Sequence, residues 1–290
     1  MGVSMKSRKH ITLIICLVLF TVLAVWTLWG NTALMTNMIR LTLSDNRLPA
    51  SFSGFRIAHV SDLHNAEFGE GNTKLLRMIS ENSPDIIVIT GDLVDSSRTD
   101  IHVAVAFAGE SAKIAPTYYV TGNHEALISQ QKYETLKTGL KAAGVIVLED
   151  EAVRLERDGE EIALIGLADP DFTIKGDLFG EVPSMVTTKL KNLVGEENLY
   201  TILLSHRPEL FDTYVSSHID LVLSGHAHGG QFRFPLIGGL VAPNQGLFPK
   251  YDAGLFTENN TNMIISRGLG NSVIPLRFNN RPELILVELV

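Results

Sequence analysis

Cysteine is almost missing from this chain: its 290 residues hold one, Cys16. That excludes an intramolecular disulfide and a zinc site built on several thiolates, so packing must hold the fold together. A basic tract is missing too, since 24 Lys and Arg stand against 32 Asp and Glu for a net charge of −8. No broad surface for nucleic-acid phosphates follows from that balance, and no nucleic-acid partner is expected. The sequence also lacks internal repeats and low-complexity tracts, while 45% of its residues are hydrophobic. Disorder is thereby excluded, and what remains has the size of one large folded domain.

Charge is absent from one further place, residues 11–30, twenty uncharged and mostly apolar positions (ITLIICLVLFTVLAVWTLWG). As a helix this run reaches roughly 30 Å, enough to span a bilayer. Lys6, Arg8 and Lys9 precede it, and the next charge is Arg40. The positive-inside bias therefore places residues 1–10 in the cytoplasm as a basic leader, with 11–30 as a single-pass transmembrane anchor and the rest outside. Trp26 and Trp29 stand near the far end, where indole rings favour the interface. A cleaved signal peptide has a shorter apolar stretch, ~7–15 residues, followed by a small-residue cleavage site. TLWGNTALM offers no such site. The expected location is a plasma membrane, with the C-terminal domain on the extracytoplasmic side.

Residues 31–53 carry little periodicity and read as a connector, with a short edge strand that includes Ile39, Leu41 and Leu43. From residue 54 to 290, eight runs read as buried strands: FRIAHV (55–60), DIIVIT (85–90), TYYVT (117–121), EIALIGL (161–167), YTILLS (200–205), DLVLS (220–224), NMIIS (262–266) and ELILVEL (283–289). Helical spacing lies between them at 72–82, 100–113, 129–143 and 184–194. Strands alternating with helices imply a mixed α/β architecture with parallel pairing in the first half. The Gly-, Pro- and Asn-rich stretch 234–260 is also rich in Leu and Phe, and reads as an ordered loop system.

Five of those strands end, within a few positions, in residues able to bind metal: Asp62 and His64, Asp92, Asn123 and His124, His206, and His226 and His228. Carboxyl ends of parallel strands share one edge, so these residues converge in one crevice. Five of the nine histidines occur there. Oxygen and imidazole donors without thiolate suit manganese, iron, zinc or cobalt. Seven ligands exceed what one tetrahedral ion needs, so two divalent ions sharing a carboxylate are the economical reading. His59, His102 and His218 stand outside the pattern and read as structural. Gly229 and Gly230 read as letting the backbone pass close to the metals. Arg267 and Arg277 suit either a phosphate contact or an internal ion pair.

Asp62-Leu63-His64, Gly91-Asp92, Gly122-Asn123-His124-Glu125, Ser205-His206 and Gly225-His226-Ala227-His228 resemble, in order, the signature blocks of the calcineurin-like metallophosphoesterases. HGGQFRFPLIGG, APNQGLFPKY and SRGLGNSVIPLRFNNRPEL extend the likeness to a membrane-anchored bacterial branch that includes predicted UDP-2,3-diacylglucosamine hydrolases. The resemblance covers about residues 45–290. It implies a two-sheet β-sandwich flanked by helices. It also implies that Asp62, His64 and His228 hold one ion, that Asn123, His206 and His226 hold the other, and that Asp92 bridges them. His124 would be the catalytic donor or general acid. Asn65 departs from the usual small or apolar residue after the first block.

The expected activity is two-metal hydrolysis of a phosphoester or pyrophosphate. Phe232, Phe234, Leu236, Ile237, Leu240, Leu247, Phe248 and Phe256 would form an apolar rim, which favours a lipid-linked or amphiphilic phosphate as substrate. A phosphodiesterase for soluble nucleotides is the enzymatic alternative, and a non-catalytic scaffold of the same fold the alternative from another class.

Overall fold

The computed structural model describes residues 5–32, 35–41, 47–174, 180–195, 197–272 and 275–290. Two six-stranded sheets lie face to face. The first comprises β1 (Met35–Leu41), β2 (Arg56–Val60), β3 (Ile86–Thr90), β4 (Thr117–Val120), β5 (Ile146–Val147) and β16 (Glu283–Leu289), in the order β1-β16-β2-β3-β4-β5. The second comprises β6 (Glu151–Arg157), β7 (Glu160–Gly166), β8 (Thr201–Leu204), β9 (Leu221–Ser224), β14 (Gly254–Glu258) and β15 (Thr261–Ile265), in the order β14-β15-β9-β8-β7-β6. Strands β2 to β5 run parallel, as do β7, β8, β9 and β15; β16 and β1 run opposite to β2.

The apolar strands bury both faces, as continuous runs in a covered parallel sheet do. In β3, Ile86 and Val88 face the second sheet, where Ile202, Leu204, Leu221 and Leu223 meet them. Ile87 and Ile89 face outward onto α2 (Thr73–Glu81), α3 (Ile101–Ala112) and α5 (Gln130–Ala142), through Leu75, Ile79, Phe107, Leu136 and Leu140. On the far side, Leu203, Val222 and Ile265 pack under α6 (Val182–Val194) and α7 (Phe211–Ser216) through Val186, Leu190, Phe211 and Tyr214. The result is helix, sheet, sheet, helix.

The segment 31–53 does more than connect. Its residues Met35–Leu41 pair in parallel with β16 over seven positions, and Phe52 is fully buried between the sheets. Leu43 and the side chain of Trp29 lie outside the described residues. Strands β6 and β14 have no counterpart among the eight expected runs; both are sheet edges whose outer faces are exposed. The loop system 234–260 contains two hairpins, β10 (Arg233–Phe234) with β11 (Gly238–Gly239), and β12 (Val241–Ala242) with β13 (Gly246–Leu247).

The N-terminal helix α1 (Met5–Thr32) begins earlier than the apolar run. Residues Arg8–Trp26 are long and apolar enough to cross a membrane by length and composition. Their side chains from Ile11 onward are exposed except at Ala24, so this is not a core helix of the domain.

Candidate metal centre

The carboxyl ends of the two parallel strand sets meet at one edge, and backbone bonds fasten the loops there. Asp62 N–H donates to Gly91 O at 3.1 Å and His64 N–H to Asp92 O at 3.0 Å, locking the β2 and β3 loops together. The end of β9 is tied to β2 through His226 N–H, 3.1 Å from Asp62 Oδ1. Helix α4 (Asn123–Leu127) begins at the end of β4, and His124 N–H donates to Asp92 Oδ1 at 2.8 Å. A Cβ on Gly122 would stand 2.3 Å from Asp92 Oδ1, so only glycine admits this carboxylate.

Five of the eight expected site residues hold positive φ: Asp62 (52°), His64 (47°), Asp92 (50°), His226 (65°) and His228 (47°). Such conformations are costly for residues with a Cβ and persist where surrounding structure over-determines them, commonly at functional sites. Here they turn the chain sharply just after a strand. Asp62, His64, Asp92 and His228 offer ligand atoms within 4.8 Å of one another, and so do Asp92, His206 and His226. Asp92 belongs to both groups. His64 Nε2 lies 3.1 Å from His228 Nε2 and 3.5 Å from Asp92 Oδ2. His228 Nε2 is 3.3 Å from Asp62 Oδ1. Asn123 Oδ1 is buried with no hydrogen-bond partner.

The donor set fits a cation. His206 Nδ1 stands 2.7 Å from Thr90 O, which fixes the ring proton on Nδ1. Its Nε2 then presents a lone pair to Asp92 Oδ2 at 3.2 Å and to His226 Nδ1 at 3.2 Å. Lone pairs facing lone pairs in a buried site need positive charge between them. Without an ion, a second proton on the His206 ring supplies that charge. Burial lowers the His206 imidazole, but the Asp92 carboxylate outweighs it and lifts the pKa to about 10. Burial raises the Asp92 carboxyl, yet His206 and then His64 hold it well below the usual range. His64 and His228 are pushed down to about 3, chiefly by burial, and His226 well below its ordinary value. These three rings are thus unprotonated donors, the state a metal requires.

His124 adjoins this cluster, its ring centroid 4.4 Å from that of His64. Ser96 N–H donates to its Nδ1 at 2.9 Å, which leaves the ring proton on Nε2, and Ser272 Oγ lies 3.1 Å from that atom. The imidazole therefore presents an N–H donor beside this cluster. Glu125 clamps the site from below: Oε2 accepts from Asp92 N at 2.9 Å and Gly122 N at 2.7 Å, and Oε1 accepts from Val94 N at 3.1 Å. Burial and then the Asp92 charge raise its pKa to about 7 against these bonds.

The remaining expectations divide. His59 bonds Thr90 Oγ1 at 2.8 Å inside the core, while His102 and His218 are exposed; none joins the cluster. Arg277 is buried and donates to Arg267 O, Gly270 O and Asn271 Oδ1, a bracing role. Arg267 Nε stands 3.9 Å from Glu283. Gly229 and Gly230 follow His228 in close packing: added Cβ atoms would strike Asn280 Oδ1 at 2.4 Å and Gly239 Cα at 2.3 Å. Gly230 thereby lets the first hairpin fold back.

Other contributors escaped the sequence reading. Asp95 groups with His64 and His124. Arg207 forms a buried bidentate pair with Asp169, at 2.6 and 2.7 Å, and its Nη1 lies 3.4 Å from His226 Nε2. Asp169 sits two positions past EIALIGL, so the strand-end rule applied to that run finds it. Arg207, Glu209 and Asn244 line a cleft of about 550 Å³ with Pro170, Asp171 and Leu210, and it opens beside His226.

Comparison with known proteins agrees with this geometry. The family model for calcineurin-like phosphoesterases matches residues 55–230. YkoQ of Bacillus subtilis (strain 168), described as an uncharacterized metallophosphoesterase, is 30% identical over 251 residues, covering 86% of this chain and 87% of that one. Phosphodiesterase YaeI of Escherichia coli (strain K12) is 31% identical over 250 residues, covering 85% and 84%. A transmembrane protein with metallophosphoesterase domain from Bos taurus is 32% identical over 82% of this chain and 54% of its own length. Among solved structures, TT1561 of Thermus thermophilus shares the fold with a TM-score of 0.51 at 13% identity, over 74% of this chain and 90% of that one. With its ligand-bearing loops gathered at one sheet edge, the chain belongs to the calcineurin-like phosphoesterase family and is a metal-dependent phosphoesterase.

Proposed function

We propose that the protein hydrolyses a phosphoester or pyrophosphate bond of an amphiphilic, lipid-linked substrate with two divalent ions, from a membrane anchor formed by α1. The observation that carries the two-ion reading is the position of Asp92, shared by two groups of buried ligand atoms. In this reading Asp62, His64 and His228 serve one ion, Asn123, His206 and His226 the other, and Asp92 both. Two such ions supply Lewis acidity toward phosphoryl oxygens and activate water for in-line attack. Residues of the chain do the rest. The His124 Nε2–H donates to the phosphate or to the departing oxygen. The Thr90 carbonyl holds His206 in its ligating tautomer. Glu125 holds the Asp92 and Gly122 backbones in register.

The amphiphilic part rests on the rim. Phe234, Leu236, Ile237, Leu247 and Phe248 are exposed on the two hairpins that follow His228, whereas Phe232 and Leu240 are half-buried and Phe256, half-buried against Tyr251, leaves the set. The phosphodiesterase description of YaeI favours a diester as the bond cleaved. The test is turnover of the full chain on bis-p-nitrophenyl phosphate, soluble nucleotides and detergent-dispersed lipid phosphates with manganese present. Asp92→Ala is expected to abolish all hydrolysis and reduce bound metal; unchanged turnover sinks the mechanism. Turnover of nucleotides without any of lipid phosphates sinks the amphiphilic substrate.

A further inference from the structure

The exposed apolar side chains are not scattered. Phe234, Leu236 and Ile237 occupy the first hairpin and its turn, and Leu247 and Phe248 end the second. Leu236 is 108% exposed, and it and Phe248 hold φ of 69° and 54°. Bulky residues seldom adopt that conformation, which turns usually give to Gly or Asn. Backbone bonds impose it: Leu240 N–H donates to Gly230 O at 3.0 Å, and Phe248 N–H donates to Leu240 O at 2.8 Å. The same bonds tie both hairpins to the His228–Gly230 turn. The second hairpin also reaches the site, with Asn244 Nδ2 3.4 Å from His226 Nε2. Lys250, exposed just beyond Phe248, puts a cation at the patch border, where anionic lipid headgroups attract it.

Strand register supports a lipid surface as the cover of this patch. Met35 pairs with Glu283, and Ile285 with His59, three residues before Asp62. Because β1 runs opposite to β2, its first residue lies at the sheet edge where the metal ligands gather. Only residues 33 and 34 separate α1 from β1, a reach of roughly 10 Å across the intervening peptide links. The end of the apolar helix is thus tethered at the catalytic edge.

We infer that the tip of the first hairpin and the Leu247–Phe248 end of the second rest in the headgroup region of the bilayer crossed by α1, so that the metal cluster opens toward the lipid surface. This rests on α1 as an anchor, and not on the chemistry proposed for the site. The test uses the full chain with Cys16→Ser in nanodiscs carrying headgroup-region spin-labelled lipid. Single cysteines from Leu236→Cys, Phe248→Cys and, at the opposite end of the second sheet, Glu156→Cys carry an environment-sensitive dye. Quenching at positions 236 and 248 is expected to exceed that at 156 at least threefold. Equal quenching overturns the docking, as does failure of the chain to enter nanodiscs, or a detergent-solubilised dimer that shields position 236 without lipid. Turnover of bis-p-nitrophenyl phosphate by each labelled variant reports the chemistry separately. Lost docking with retained turnover sinks only the docking, and the converse sinks only the catalytic reading.

Discussion

His124 owes its proposed role to one backbone amide. With Ser96 N–H donating to Nδ1, the proton must sit on Nε2, so His124→Ala removes a donor and leaves the seven proposed ligands in place. A fall in kcat of about 10²–10⁴-fold is expected, with bound metal unchanged by elemental analysis. Glu125 acts by a different route, because its carboxylate satisfies three buried N–H groups. Glu125→Ala strands all three, and a loss of about 3 kcal/mol or more is expected in denaturant unfolding. His59 sets an acid limit on stability. Burial pushes its imidazole down to about 3, so the folded state refuses a proton that the unfolded chain takes near pH 6.5. Its stabilisation is complete above pH 6.5 and is lost as pH falls toward 3, with a slope of about 1.4 kcal/mol per pH unit. His59→Asn is expected to reduce the measured slope of unfolding free energy in that window by this amount.

At the scale of elements, β1 and Phe52 belong to the domain although they precede its first catalytic strand. A chain starting at residue 54 loses the seven-residue partner of β16 and a fully buried phenylalanine. Loss of the ring alone costs about 3–5 kcal/mol, and a melting scan is expected to show this chain well below one that starts at residue 31. Buried elements were legible because their patterns are strong: IIVIT has no polar face, and Leu75 and Ile79 repeat at helical spacing. The edges of the second sheet were not. EAVRLER and GLFTE mix charge or glycine with few apolar residues because one face meets water, whereas the edge strand β1 was legible through Ile39 and Leu41 although it carries Asn37 and Arg40. The clustering of the candidate ligands was legible since strand ends converge whatever the loops do. Arg207 was hidden because an ion pair needs two chain segments to be seen together, although the strand-end rule reaches its partner Asp169, and Asp95 because the fifth residue past a strand reads as loop. Nothing in local pattern tells Phe256, which packs on Tyr251, from Phe248, which faces outward.

For the whole molecule, charge and metal belong together. Lys6, Arg8 and Lys9 are the charges of residues 1–10, so taking three from −8 leaves −11 on residues 11–290. In the proposed site, divalent ions would reverse the local sign where an anionic phosphate binds this acidic body. Ions that bind the folded state alone also stabilise it, by about 2.7 kcal/mol at a hundredfold excess over Kd. Chelation is therefore expected to lower the melting temperature by several degrees and manganese to restore it; a melting curve indifferent to both counts against the site. The left-handed backbone at Asp62, His64, Asp92, His226 and His228 gives this a consequence in the cell. Five strained residues whose side chains offer lone pairs to one another are a reason for the empty fold to open. With the proposed ions bound there, metal supply in the compartment where the domain matures is expected to govern how much protein survives proteolysis, abundance falling before specific activity when the ion is withheld.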